Sequence, residues 1–302
     1  MRDEVHAVGY RRLDEPRPVW PGWPIARTLL VLAWRRRATK LGLLVCFGVF
    51  GVHGVWVVGQ LVAKRYFESK ANSALLGTDK LVGQVHEALA SYVSVQFFTT
   101  ALVLAVVAAG AIAEDRRVGA FELYFARPLS RMQYALGKLM GAGIVPLATL
   151  VGPAFILWLA AAGIAPPSLR GELWWLAVPA LASATLGAAV LTATSVGLSA
   201  LGQRARTVGA VYVAGLVILA GVTEGLAESG YPSFGYLSPE RDLRTVVDWL
   251  LQVGNQSVAA KIIPGRLPTN SDPIGSLLGL LAWTGAGLGA LAWRIQREVR
   301  RG

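Results

Sequence analysis

The chain has 302 residues; 54% are hydrophobic and only 16% charged, and 29 Lys/Arg against 18 Asp/Glu give a formal net charge of +11. Soluble domains carry about 25% charged residues, so this composition excludes an ordinary soluble enzyme, and its hydrophobicity excludes a disordered chain. The single cysteine, Cys46, excludes an internal disulfide and a cysteine-built metal site.

Residues 1–40 hold 13 charges and no clean apolar core, so no signal peptide is expected. Within them, residues 24–38, which open PIARTLLVLAWRRR, are too short and too basic to span a bilayer. They read as an amphipathic interfacial helix, with Pro24 in its first turn and Trp20, Trp23 and Trp34 at headgroup level. The competing reading is a simple extension of the first span.

Stretches free of Asp, Glu, Lys and Arg follow at Leu41–Ala63, Ala88–Ala113, Leu139–Leu169, Leu173–Gln203, Thr207–Thr223 and Pro273–Trp293. A helix needs roughly 20 apolar residues to cross a ~30 Å hydrocarbon core. The expected architecture is therefore an all-α integral membrane protein, one transmembrane domain over residues 1–302. Its six spans lie at about 41–63, 88–113, 139–165, 175–203, 207–227 and 273–293. Pro146, Pro153 and Pro179 are candidate kinks. Residues 64–87 read as a modest loop, and 170–172 and 204–206 as tight turns. The segment 228–272 is long enough to fold. Within it, Leu243, Val246, Val247, Leu250 and Leu251 recur at helical spacing, predicting an amphipathic helix that opens near Ser238-Pro239 and packs across the ends of the spans.

Charge orients the spans. The pieces 1–40, 114–138, 204–206 and 294–302 hold 20 Lys/Arg against 8 acids, whereas 64–87, 170–172 and 224–272 hold 9 against 10. The positive-inside rule puts both termini in the cytoplasm, and the basicity then implies no nucleic-acid partner. None of the six stretches holds a carboxylate or lysine for ion coupling, which disfavours a secondary transporter. His53 and Cys46 read as helix-packing residues, and the pairs Gly221/Gly225 and Gly285/Gly289 as points of close helix approach.

The most informative segment is the loop 114–138, EDRRVGAFELYFARPLSRMQYALGK. It reads as a helix over 114–125, a break at Arg127-Pro128, and a second helix capped by Ser130 with Gln133 at capping-box spacing. Its aromatics and charges suit a docking element for a soluble partner; they equally suit a basic loop whose aromatics sit in the headgroup layer.

This loop resembles the signature region of type-2 ABC transporter permeases, the exporter-type membrane subunits. The matching positions are Glu114, Arg116, Gly119, Glu122, Pro128, Ser130, Arg131, Gly137 and Lys138, with Ala120 and Phe121 departing mildly. The stretch from Ala26 to Arg37 is similar to that family's connecting helix. The resemblance implies a coupling helix that sits in a groove of a separate ABC ATP-binding subunit, with Glu114, Arg116, Gly119, Phe121, Glu122 and Arg131 at or near the contact. It also implies a plasma (inner) membrane location and a second permease copy or a sister permease, with membrane lipid around them. The path between the copies would be lined mainly by the second and fifth spans. On the second, Tyr92, Gln96, Thr99 and Val103 share a face, and hydrogen bonding between helices is the competing reading. Gly137-Lys138 is followed by Leu139, so the P-loop pattern fails. No cofactor and no catalysis are expected of this chain by itself; ATP and magnesium belong to the partner subunit. The alternative is a non-transporting membrane scaffold that recruits a cytosolic partner through 114–138.

Overall fold

A computed structural model describes residues 22–68, 78–121, 129–165, 167–253 and 269–299. All its regular elements are helical. Helix α1 (Trp23–Arg35) is followed by α2 (Arg37–Glu68) and α3 (Thr78–Val107), then the five-residue α4 (Ala113–Arg117). Helix α5 (Arg131–Pro146), a π-helical turn (Leu147–Val151) and α6 (Gly152–Ile164) form one broken rod. Helices α7 (Pro167–Trp175) and α8 (Ala177–Leu201) form a second, kinked at Leu176. Helix α9 (Ala205–Glu228), a 3-10 turn (Pro232–Leu237), α10 (Pro239–Leu250) and α11 (Pro273–Val299) complete the chain.

Six segments are long and apolar enough to span: Arg37–Ala63, Val82–Val107, Arg131–Ile164, Leu169–Leu201, Ala205–Glu228 and Pro273–Glu298. Each contains or overlaps one of the six charge-free stretches. The second, third and fourth spans are half-buried or more and form the centre; the first, fifth and sixth are mostly uncovered. The core between them is built from Tyr92, Phe97, Leu104, Leu150, Leu157 and Leu191, each 2% exposed or less.

Two boundaries and one packing expectation differ from the sequence reading. The interfacial helix covers Trp23–Arg35, and a single extended residue, Arg36 (φ −82°, ψ 128°), separates it from the first span. Residues 170–172 are helical, within α7, and are no turn. The chain turns at Ala165 instead, since the residue before a proline is pushed out of the helical region, and Pro167 suits the first position of α7. The glycine pairs at 221/225 and 285/289 face open space. Close approaches lie elsewhere, among them Gly197 against Gly287: a Cβ on either would collide with the other helix's backbone, so α8 and α11 cross backbone to backbone.

The break in the third span has a specific cause. Pro153 has no N–H, so the carbonyl of Thr149, four residues earlier, loses its helical partner. In hydrocarbon that carbonyl must be satisfied from elsewhere. Tyr92 Oη and Gln96 Nε2 of α3 each donate to it at 2.8 Å, and the hydroxyls of Thr100 and Thr149 meet at 2.9 Å. His53 and Cys46 pack as read. His53 Nδ1 contacts the Val49 carbonyl at 2.9 Å and Nε2 contacts Ser91 Oγ at 3.3 Å, and Cys46 is buried.

The helix expected near Ser238 is α10, and Ser238 Oγ accepts from the Arg241 N–H. It penetrates further than the ends of the spans. Leu243 meets Gly187, in the middle of α8, where Phe97 and Leu150 also converge. Asp242 follows it into the interior. Asn270 Nδ2 donates to Asp242 Oδ1 at 2.8 Å, while Oδ2 is buried with no hydrogen-bond partner among the described residues. Burial raises the Asp242 carboxyl to about 7, against the opposing effects of Ser276, Asn270 and Arg241.

Two outcomes follow. Tyr92→Phe and Gln96→Leu each leave Thr149 one donor, so each lowers stability by about 1 kcal/mol or less, and the double change costs about 1 kcal/mol beyond their sum. Thermal unfolding in detergent measures this, and strict additivity refutes the shared acceptor. The fold favours protonated Asp242, so its contribution is complete below the ordinary carboxylate range and is lost as pH rises to about 7. Amide exchange of 239–250 should therefore quicken between pH 5 and 8 beyond its intrinsic rate, and Asp242→Asn should remove that excess.

Candidate functional site

After Val107 the second span unwinds through residues 108–112 and re-enters helix at Ala113. Helix α4 has no cap of its own, since Ile112 occupies its N-cap position. Ser199, near the end of the fourth span, supplies one. Its hydroxyl donates to the Ala109 carbonyl at 2.8 Å and accepts from the N–H groups of Ile112 and Ala113 at 3.0 and 3.3 Å. The start of α4 is thereby fixed to α8.

Helix α4 carries four charges in succession, and they divide. Asp115 turns toward the third span. Its Oδ2 accepts from Tyr134 Oη at 2.7 Å and pairs with Lys138 Nζ at 2.6 Å, the lysine side chain being 8% exposed. Arg116 turns toward the fourth and sixth spans. One guanidinium nitrogen donates to the carbonyls of Ala200 (3.1 Å), Leu201 (3.4 Å) and Gly202, the unsatisfied end of α8. Its Nε lies 3.3 Å from Glu298 on α11, and Glu298 also pairs with Arg294 at 2.6 Å. Glu114 and Arg117 turn outward and pair with each other at 2.7 Å. Five residues thus attach to three spans and still present a charged outer surface.

The segment then breaks. Val118 is 64% exposed, and Gly119 sits in the left-handed region at φ +68°, facing open space. The continuous helix expected over 114–125 is therefore interrupted at 118–119 and resumes at Ala120. Phe121 is tucked beneath, 8% exposed, its ring 5.3 Å from Tyr134. Glu122 lies outside the described residues. Arg131 opens α5, exposed, behind a complete capping box in which Ser130 and Gln133 satisfy each other's N–H groups at 3.1 and 2.9 Å.

Of the residues expected to contact a partner, Glu114 and Gly119 reach the surface, as does Arg131, while Arg116 and Phe121 are turned inward. Of those expected on a path, Tyr92 and Gln96 are fully enclosed at the π-helical turn, and Thr99 is half-buried, bonded to its own turn at Gln96 O. Sequence reasoning missed Asp115, Ser199 and Glu298, and placed Lys138 in the signature region without foreseeing its acidic partner. One signal was available: Lys138 stands one helical turn beyond Tyr134, on the buried face of a helix about to enter the bilayer, where a lysine requires an acid. Among the described residues no three His, Cys, Asp or Glu side chains converge as metal ligands.

Breaking a buried ion pair from one side is far costlier than replacing both partners. Asp115→Asn alone or Lys138→Met alone should each destabilise the protein by about 3 kcal/mol. The double variant should recover most of that loss in thermal unfolding, and an additive double variant would show that the two residues act independently.

The model of a family described as ABC-2 family transporter protein matches residues 33–295. No curated protein matches the chain. Since the family match runs from the end of the interfacial helix to the last turns of the sixth span, the chain belongs to the ABC-2 family of transporter proteins, as a membrane permease subunit.

Proposed function

We propose that this permease couples ATP hydrolysis by a separate ABC ATP-binding subunit to export of a substrate across the plasma membrane. In this reading both termini are cytoplasmic, and a second copy or a sister permease completes the complex. ATP and magnesium stay on the soluble subunit. The observation that carries the reading is the division of charge on α4. Glu114, Arg117 and Val118 form an outer surface that the soluble subunit would seat upon. Asp115 and Arg116 would pass its displacement to the third, fourth and sixth spans. Rigid ion-paired attachments transmit movement because each pair holds two elements at fixed distance.

The substrate path lies between two copies. The fifth span is the least covered of the six, and its open face would line it. On the second span the open face is Val95, Thr99 and Leu102, at i, i+4 and i+7, with Val95 43% and Leu102 38% exposed. That face takes over the lining role from the enclosed Tyr92 and Gln96.

Val118→Glu places a charge on an exposed apolar contact without touching the ion pairs. Gly119→Lys adds bulk and about 1 kcal/mol of left-handed strain. In both variants, ATP hydrolysis stimulated by the permease and the amount of co-purified ATP-binding subunit should fall about tenfold or more, a loss of roughly 1.4 kcal/mol in assembly. Unchanged assembly and transport in both would remove the reading.

A further inference from the structure

We propose that the junction of α1 and α2 is a binding surface for anionic phospholipid headgroups. Arg27, Arg35, Arg37 and Lys40 are all exposed there, and none makes an ion pair with a described residue. The first turns of α1 and α2 contain no acid. The described acids of the neighbouring coupling segment are already engaged: Glu114 by Arg117, Asp115 by Lys138, and Glu298 by Arg116 and Arg294. No described acid therefore pairs with this cluster, which is free to meet an outside anion.

Its position selects the source. Trp23 and Trp34 are 45% and 61% exposed, with Val31 and Leu32 exposed between them, and Lys40 Nζ lies 5.9 Å over the Trp34 ring. Exposed tryptophans alternating with cations mark the headgroup layer, where phosphate is the available anion. The opposite side of α1 buries Ile25, Ala26, Leu29 and Ala33, so the helix is held to the protein on one side and bare on the other.

The site has a route to the rest of the molecule. Arg36, the extended residue at the junction, donates to the Val106 carbonyl at 2.7 Å and reaches Gly110, at the end of the second span just before α4. A headgroup clamped by Arg35, Arg37 and Lys40 fixes the residue that holds this turn. The inference stands on charge and exposure alone and is independent of the ATP-coupled reading.

The test uses the full chain in mixed micelles of phosphatidylcholine and phosphatidylglycerol at equal amounts, with retained lipid counted by native mass spectrometry. Wild type should retain phosphatidylglycerol over phosphatidylcholine by about fivefold or more, each of Arg35→Gln, Arg37→Gln and Lys40→Gln should weaken the preference, and the triple variant should bring it close to one. Arg204→Gln with Arg206→Gln, which removes as much charge as any two of these from another exposed turn, should leave most of it. Raising salt should reduce it. The proposal is overturned if wild type shows no preference, if the single and triple variants keep it in full, or if the Arg204/Arg206 pair abolishes it equally. It is also overturned if inorganic phosphate matches the thermal stabilisation given by phosphatidylglycerol, since the anion would then not be a lipid.

Discussion

Inside a bilayer each backbone carbonyl and N–H must find its partner within the protein, because no water is there to take it. Where this chain's helices run unbroken, the requirement is met locally. Where they break, polar side chains gather. Pro153 frees the Thr149 carbonyl, and Tyr92 and Gln96 converge on it. The fourth span ends, and Arg116 gathers its last carbonyls. Helix α4 begins without a cap, and Ser199 serves it from another helix. Breaks and cross-helix bonds are thus the same feature seen from two sides, and they decide which spans are bound to which.

That logic explains what could be read from the chain and what could not. Long uncharged stretches announce spans, so all six were legible, as were the Ser130–Gln133 box and the amphipathic face of α10, whose Leu243, Val246, Val247 and Leu251 are all buried. These signals are local. The buried position of Lys138 calls for an acid, but its pairing with Asp115 crosses a segment that includes a helix break, and nothing local tells which acid turns inward and which pairs outward with Arg117. Four charged residues in a row read as a solvated surface; only tertiary contact shows that the middle two are enclosed. The polar face of the second span was visible. Its role was not, because the acceptor it serves is a backbone carbonyl, exposed by a proline in another helix.

The charge of the molecule acquires a division of labour. At the face that carries α4, the described acids are spent on internal attachments, which leaves the surplus cations to meet whatever lies outside. On the far face the balance is even, and one acid, Asp242, is held where burial favours its neutral form. A buried ion pair fixes geometry at the cost of desolvation. Such pairs fasten α4 to its neighbours, and on α10 the pair Glu240–Arg244 stands beside the buried carboxyl of Asp242, which makes the seating of that helix depend on protonation.

The backbone contact of Gly197 with Gly287 has a mechanical consequence. Gly197 and Gly287 let the backbones of α8 and α11 meet with no side chain between them, and these two helices pack against each other more extensively than any other pair among the described residues. A side chain at either glycine would wedge the fourth and sixth spans apart, so the seam admits nothing larger than hydrogen at those two positions.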